Sequence, residues 1–520
     1  MESAIPKGYL YWLGFIIACF LLRSAVAGMT PITAPEAYYW EWSQDLAWGY
    51  FDHPPMIAYI IKLFTLLGGD SVFFVRLGAL TLSILTTVVL YLLAKEMFGK
   101  ATALAVCGLF QILPFFAAVS VLSVPDAPLA FFWILTVYFV HRSTIRGQRR
   151  FWYAAGLSLG LDLLSKYHAF LLLPCILVYL LCSPDLRTWL LRKEPYLALL
   201  IAFLIFFPNL YWNLDHRATT FRFLLVERHG VIEFTPKLIL IFCGGFLLFL
   251  SPLFAVLTLR LLPRMIRTAT SGRDKRFLLL LSTSLPVIGF FGMLSPMIHI
   301  GAHWTAVGYT TLCLAVIAVL DQGSAPPRLW QAFPLASFAV ALVMVLVGQT
   351  IPIVAAYTPP SVRIGDRTYD LKLNRLQEEL YGWEEFRTRL ADMIRSMPNP
   401  DHTFVIGHNY RFVSHVRYLL GASSVARTTG VGWQNQYSIW DDIDRLKGWD
   451  ALFVEKEARV SDPELLLEIF EHVGPIEELA ITVKDVKVRS FFVIRCYGYK
   501  AKYIGSRAGS PAVADAVAGR

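Results

Sequence analysis

The stretch SVFFVRLGALTLSILTTVVLYLLA, residues 71–94, carries a single charge, Arg76. A bilayer's hydrocarbon core demands about 20 consecutive apolar residues in a helix, so this run reads as a membrane span. Working outward, further apolar runs lie near 9–28, 102–122, 127–141, 151–165, 167–182, 196–212, 236–260, 277–296, 303–320 and 333–354. Together they predict an α-helical polytopic membrane protein with about eleven transmembrane helices. The run at 9–28 is interrupted by Arg23 and is followed by many more spans, so it reads as the first helix rather than a cleaved leader. Composition agrees. Of 520 residues, 56% are hydrophobic, 14% aromatic and only 16% charged, against roughly 25% charged in an average soluble domain. An ordinary soluble globule, a disordered chain and a secreted disulfide scaffold are all excluded. Six of the seven cysteines sit inside apolar runs, where a thiol behaves as a small hydrophobe; only Cys496 falls in a polar region.

The net charge of +9 is explained by position. Arg142, Arg146, Arg149 and Arg150 crowd one loop; Arg260, Arg264, Arg267, Arg273, Lys275 and Arg276 crowd another. A third loop carries Arg187, Arg192 and Lys193. Basic loops mark the cytoplasmic side, and all three fall there when the spans are counted through. The basic residues therefore report topology, and no single stripe suits nucleic acid. The other side receives residues 29–70, the turn at 123–126, the hairpin at 166–168, the loop 213–235 and everything after residue 355. Loop 29–70 is expected to hold two amphipathic interfacial helices, over 36–48 and 55–67. Three parts are thus expected: a membrane domain over 1–357 containing the outer loop 29–70, an extracytoplasmic α/β domain over 358–505, and a disordered tail over 506–520. In the α/β part, helices are expected over 371–397 and 463–470, and strands over 403–406, 451–454 and 491–496.

The outer face collects the unusual chemistry. Loop 29–70 reads Ala34-Pro35-Glu36-Ala37-Tyr38-Tyr39-Trp40-Glu41-Trp42, then Gly49-Tyr50-Phe51-Asp52-His53-Pro54-Pro55. Carboxylates so close to hydrocarbon are costly unless paired or used. Glu36 suits either a helix-start acid or a functional one. Asp52, and Asp126 in Ser123-Val124-Pro125-Asp126-Ala127-Pro128, suit either helix N-caps or members of a converging acidic site. Lys166 in Lys166-Tyr167-His168 is either a snorkelling cation or a partner for an anion. Glu227-Arg228-His229 reads as solvated charge or as part of the site, and His299, His303 and Trp304 flank an outer helix end. Asp162, the one acid well inside a helix, is expected to pair with Lys166 four residues on.

In order along the chain, Glu-Ala-Tyr-Tyr-Trp, Tyr-Phe-Asp-His-Pro-Pro, Pro-Asp-Ala-Pro, Ser-Lys-Tyr, Trp-Asn-Leu-Asp-His and His-Trp resemble the polytopic GT-C glycosyltransferases. The similar branch is the bacterial one related to protein O-mannosyltransferases and the lipid A aminoarabinose transferase. Asn374-Arg375-Leu376, Gly382-Trp383 and Gln434-Asn435-Gln436-Tyr437-Ser438-Ile439-Trp440 extend the likeness into the tail. The resemblance implies transfer of a sugar from a polyprenyl-phosphate carrier to a lipid or protein hydroxyl at the outer face of a bacterial inner membrane. It implies a catalytic base, for which Glu36 stands first and Asp126 second. This chain departs from the family where Pro35 replaces the Asp of an Asp-Glu pair. It further implies that His53, with Asp52, Lys166 and Arg228, meets the carrier phosphate. Tyr38, Tyr39, Tyr167, His229, His303 and Trp304 would line the substrate pocket. The resemblance fixes no cofactor; a divalent cation on Asp52 and His229 is the one metal option by family analogy, and two hard ligands specify nothing. One base implies inversion at the anomeric carbon. The competing classes are a lipid-linked sugar or ion transporter, which would place acids in mid-span, and a receptor or scaffold without activity.

Overall fold

The computed structural model describes residues 7–225, 234–271, 274–322, 332–357, 361–364, 367–370, 382–430, 434–440, 443–456, 463–483 and 486–502. The chain divides into two compact units: residues 1–28 with 47–350, and residues 29–46 with 351–520. The second unit thus takes the first part of the outer loop, which the sequence reading had assigned whole to the membrane domain.

The chain begins with α1 (Lys7–Met29) and α2 (Ala34–Gln44). The first unit continues through α3 (Met56–Gly68), α4 (Val72–Phe98), α5 (Lys100–Ile112), α6 (Pro114–Val119), α7 (Asp126–Thr144) and α8 (Phe151–Leu163). A short 3-10 turn, Tyr167–Leu171, leads into α9 (Leu172–Leu181) and α10 (Pro184–Arg187). Then follow α11 (Lys193–Asp215), α12 (Thr219–Leu225), α13 (Pro236–Leu250), α14 (Pro252–Thr270), α15 (Lys275–Ser282), α16 (Leu285–Leu294), α17 (Ala306–Asp321) and α18 (Phe333–Tyr357). The core is one continuous apolar cluster, with Trp133, Leu93, Phe254, Phe277 and Leu314 fully buried.

Eleven spans were expected. Among the described residues, six helices are long and apolar enough to cross a membrane, or up to eight if two bent pairs each count as one span. Part of the difference lies in breaks that hydropathy does not register, and part in α8, only 13 residues long, and α7, which falls short of a span without a break. Pro114 follows Leu113 and separates α5 from α6; proline has no N–H to donate and clashes with the preceding turn. Ser251, at φ 64°, and Pro252 turn α13 into α14 through 101°. The apolar stretch 167–191 bends by 119° at Ser183-Pro184.

In the second unit, a five-stranded sheet has the order β4-β3-β5-β7-β6. Before it, β1 (Ser361–Ile364) and β2 (Arg367–Asp370) form a hairpin. Helix α19 (Trp383–Arg395) leads to β3 (Thr403–Gly407), α20 (Tyr410–Leu420), β4 (Ala426–Thr428) and β5 (Asp450–Glu455). Strands β3, β4 and β5 are parallel. After α21 (Pro463–Leu466), the long strands β6 (Phe470–Val483) and β7 (Val486–Tyr499) close the sheet antiparallel. Phe386, Val416, Leu452 and Phe491 fill one face; Ile406, Phe453 and Ile494 fill the other. The three expected strands are present. The helix expected over 463–470 stops at Leu466, and β6, which the sequence reading missed, starts at Phe470. Its pattern is broken by Gly474-Pro475, where the pairing with β7 shifts register. β6 is an edge, with Glu471, Glu477 and Glu478 along it. Residues 371–381 and 506–520 lie outside the described residues.

Candidate active site

In the first unit a cavity of about 370 Å³ opens beside the 3-10 turn after α8. Its polar lining is His53, Lys166, Tyr167, His168 and His303; Phe291 and Trp304 supply much of its apolar wall. Lys166, itself 2% exposed, directs its ammonium at Asp126, with Nζ 2.8 Å and 2.9 Å from the two carboxylate oxygens. His303 and His53 both lie within electrostatic reach of that carboxylate. Asp126 is the first residue of α7, and Pro125 rather than Asp126 occupies the N-cap position. The N-cap alternative is therefore set aside: the side chain serves Lys166 instead.

Short elements hold these groups. The segment 47–53 is pinned by three contacts: the Tyr59 hydroxyl donates to the Ala47 carbonyl at 2.8 Å, the Asn209 amide to the Trp48 carbonyl at 2.8 Å, and the Thr220 hydroxyl to the Tyr50 carbonyl at 3.1 Å. Gly49 lies so close to α11 that a Cβ there would meet Trp212 at 2.6 Å, a contact no larger residue tolerates. The helix after Asp52 has Pro55 at its N-cap, so Asp52 is not that helix's cap. Asp52 instead lies within electrostatic reach of the Tyr167 hydroxyl. That hydroxyl donates to Asn209 Oδ1 at 3.1 Å and accepts from Asn213 Nδ2 at 3.2 Å, which fixes its direction. Asn209 was missed by sequence reading, and Asn213 entered it only within Trp-Asn-Leu-Asp-His, without a role; two amides one turn apart in an otherwise apolar helix were the available signal. His168 packs its ring 5.3 Å from Phe291 and 5.5 Å from Trp304.

The expected pairing of Asp162 with Lys166 does not form. Lys166 turns to Asp126, and both Asp162 oxygens, fully buried, have no hydrogen-bond partner among the described residues. Four-residue spacing brings side chains together only within a continuous helix, and α8 ends at Leu163.

Glu36, Tyr38 and Tyr39 belong to the second unit. Glu36, at the third position of α2, accepts from both the N–H and the hydroxyl of Thr33 at 3.0 Å, a capping box that satisfies a helix-start donor. Every residue from Glu36 to Ser43 is buried, so α2 lacks the wet face expected of an interfacial helix. The Tyr38 hydroxyl accepts from the Gln436 N–H at 3.0 Å, and its ring stands 4.7 Å from Tyr410. Glu41, wholly buried, pairs with Arg417 and accepts from the Tyr437 hydroxyl. Burial first, then the Glu41 charge, holds the Tyr437 phenol well above its ordinary range. Arg228 and His229 lie outside the described residues. Among the described residues no three His, Cys, Asp or Glu side chains gather as a metal site; the metal option on Asp52 and His229 lies partly outside the described residues.

Residues 52–212 match the dolichyl-phosphate-mannose-protein mannosyltransferase family. The chain is 28% identical over 325 residues to lipid A galacturonosyltransferase RgtD of Rhizobium johnstonii, covering 60% of this chain. The match spans 65% of that relative's length. Among solved structures, ArnT from Cupriavidus metallidurans superposes with a TM-score of 0.66 at 13% identity, over 94% of this chain and 98% of that one. The same protein bound to undecaprenyl phosphate gives 0.63 at 15% identity, with the same coverage. An Archaeoglobus fulgidus oligosaccharyltransferase gives 0.53 at 12% identity, over 88% of this chain and 70% of that one. The resemblance to the GT-C glycosyltransferases is borne out: the chain has an ArnT-like fold, and the family model and relative it is similar to carry the names of glycosyltransferases.

Proposed function

We propose that the protein transfers a sugar from a polyprenyl-phosphate carrier to a hydroxyl of a lipid A-type acceptor, at the outer face of a bacterial inner membrane, with the second unit outside the cytoplasm. The observation that carries this reading is the Lys166–Asp126 pair beside a largely apolar cavity bordered by His53 and His303. A cation at such a boundary suits a phosphate whose hydrocarbon tail stays in the membrane. Two relatives support the substrate classes: one is named for acting on lipid A, and one solved structure holds undecaprenyl phosphate.

In the step we infer, the acceptor oxygen attacks the anomeric carbon and the bond from that carbon to the phosphate oxygen breaks. The electron pair leaves with the phosphate, and the acceptor proton passes to a carboxylate. Phosphate is a good leaving group, so cations at the phosphate and one base suffice, and the anomeric carbon inverts. We take Asp126, the partner of the cavity-lining Lys166, as the base. Its ion pair makes it a weak base until the incoming phosphate draws Lys166 toward itself, which would couple deprotonation to donor binding. Glu36 is the alternative, although its Oε2 already accepts two hydrogen bonds from Thr33.

Membranes containing the protein and a radiolabelled polyprenyl-phosphate sugar test the assignment. Asp126→Asn should abolish transfer to lipid while Glu36→Gln retains it. The converse result moves the base to Glu36, label in protein moves the acceptor to a polypeptide, and loss in neither variant overturns the site.

A further inference from the structure

A second cavity of about 430 Å³ lies in the first unit, with no lining residue in common with the cavity above; Thr136, Trp152, Gly156, Leu177, Leu190 and Tyr196 line its length. It has almost nothing polar to offer a ligand. The Thr136 hydroxyl already donates to the Phe132 carbonyl and meets Ser158 at 2.8 Å, and the Tyr196 hydroxyl donates to the Leu190 carbonyl at 2.6 Å. Leu177, Tyr196 and Leu199 on its rim are about half exposed in a part of the chain made to face hydrocarbon.

One end of the groove is cationic. Arg192 and Lys193 sit in the chain between the lining residues Leu190 and Pro195. The Arg192 guanidinium lies 4.8 Å over the Trp189 ring, which packs 5.8 Å from the wall residue Trp152. Among the described residues neither Arg192 nor Lys193 forms an ion pair, and exposed Arg149 and Arg150 precede the same helix as Trp152. The nearby acids are accounted for: Asp185 pairs with Lys275 at 2.7 Å, and Glu194 is in the first turn of α11, where the helix dipole favours it. An apolar groove ending in unpaired cations fits a molecule with an anionic head and a hydrocarbon chain.

We propose that this groove seats an acyl chain of an anionic phospholipid in the leaflet on the side of the arginine-rich loops, with its headgroup phosphate on Arg192 and Lys193. The occupant is a membrane lipid separate from the polyprenyl donor, and its binding does not depend on the transfer reaction.

The test uses the full-length purified protein in detergent, stripped of lipid and titrated with phosphatidylglycerol or phosphatidylcholine, with bound lipid counted by native mass spectrometry. Phosphatidylglycerol should be retained over phosphatidylcholine, and that preference should fall about fivefold for each charge removed in Arg192→Gln and Lys193→Gln. Leu177→Trp, a change at a half-exposed rim position that fills the groove, should reduce retention of both lipids. Equal retention of the two lipids, a preference unchanged in the double variant, or displacement of phosphatidylglycerol by polyprenyl phosphate would each overturn the proposal.

Discussion

Asp126 and Glu41 are both buried carboxylates with a cationic partner, yet their surroundings are opposite. Asp126 has one ammonium partner, Lys166, which borders an open cavity. Glu41 is held from two sides, by Arg417 and by the Tyr437 hydroxyl, and Tyr437 is itself tied to Ser414 at 2.9 Å. An ion pair with a neighbouring void can exchange its partner for a ligand. A pair whose remaining sites are filled by protein can only hold structure together. The first arrangement is suited to chemistry, and the second fastens α2 onto the sheet-bearing unit.

The contrast can be broken by experiment. The largest effect is expected at the cavity: Asp126→Asn should lower the transfer rate by about 10³-fold, the usual scale for a lost general base, and, because it strands the buried Lys166 beside a neutral amide, should also cost about 3 kcal/mol in denaturation. A folded variant that binds donor without transferring sugar would mark Asp126 as the base; transfer retained would make it structural. Next, Glu41→Gln strands Arg417 beside a buried neutral amide and should cost about 3 kcal/mol in chemical denaturation, while any surviving folded protein retains donor binding. Lys166→Met should then weaken donor binding by roughly tenfold to a hundredfold as a lost charged contact, and a donor affinity equal to wild type would remove Lys166 from the phosphate site. Smaller still, His53→Lys should keep donor use where His53→Ala loses about tenfold; equal activity of the two variants would take His53 out of the phosphate path.

The second unit offers a pH test of what a filled environment does to an acid. Burial pushes the Glu455 carboxyl up to about 7 from 4.5, although the His408 N–H donates to it at 2.6 Å. A carboxyl with a raised folded pKa contributes stability that is complete below pH 4.5 and lost as pH rises through about 7. Denaturant midpoints of wild type and Glu455→Gln should therefore diverge in favour of the variant as pH climbs through that window. A difference that stays constant with pH would show that Glu455 is charged throughout. His415 runs the other way: burial, with Lys456 and Arg489 adding to it, lowers the imidazole from 6.5 to about 3, so its contribution is lost as pH falls through that range.

Much of this was legible in the chain. Apolar length located the membrane helices, and β-branched and aromatic runs located three of the strands that build the sheet. Position along the outer loops also placed His53, Asp126, Lys166, Tyr167 and His303 on one side of the membrane; four of these line one cavity, and Asp126 pairs with one of the four, Lys166. What sequence could not show was pairing across distance. Asp126 and Lys166 are 40 residues apart, and the short-range rule pointed Lys166 at Asp162 instead. Glu41 meets Arg417 across 376 residues, so nothing local indicated that α2 would join the second unit. Breaks at Pro114, Ser251-Pro252 and Ser183-Pro184 were equally silent in a hydropathy average, because backbone geometry rather than polarity causes them.

The outer strand β6 has a bearing on how many copies can share a membrane. Proteins confined to a bilayer meet edge-on far more often than in solution, and an edge strand 14 residues long would be a template for stacking. Here Pro475 removes a donor, the register shift beside it breaks the regular edge, and charged side chains line it, Glu477 and Glu478 being paired with Arg495 and Lys487 of β7. Crowding should therefore leave the sheets of adjacent molecules separate, and replacing Pro475 together with those ion pairs by apolar β-formers would be the direct way to make the protein self-associate.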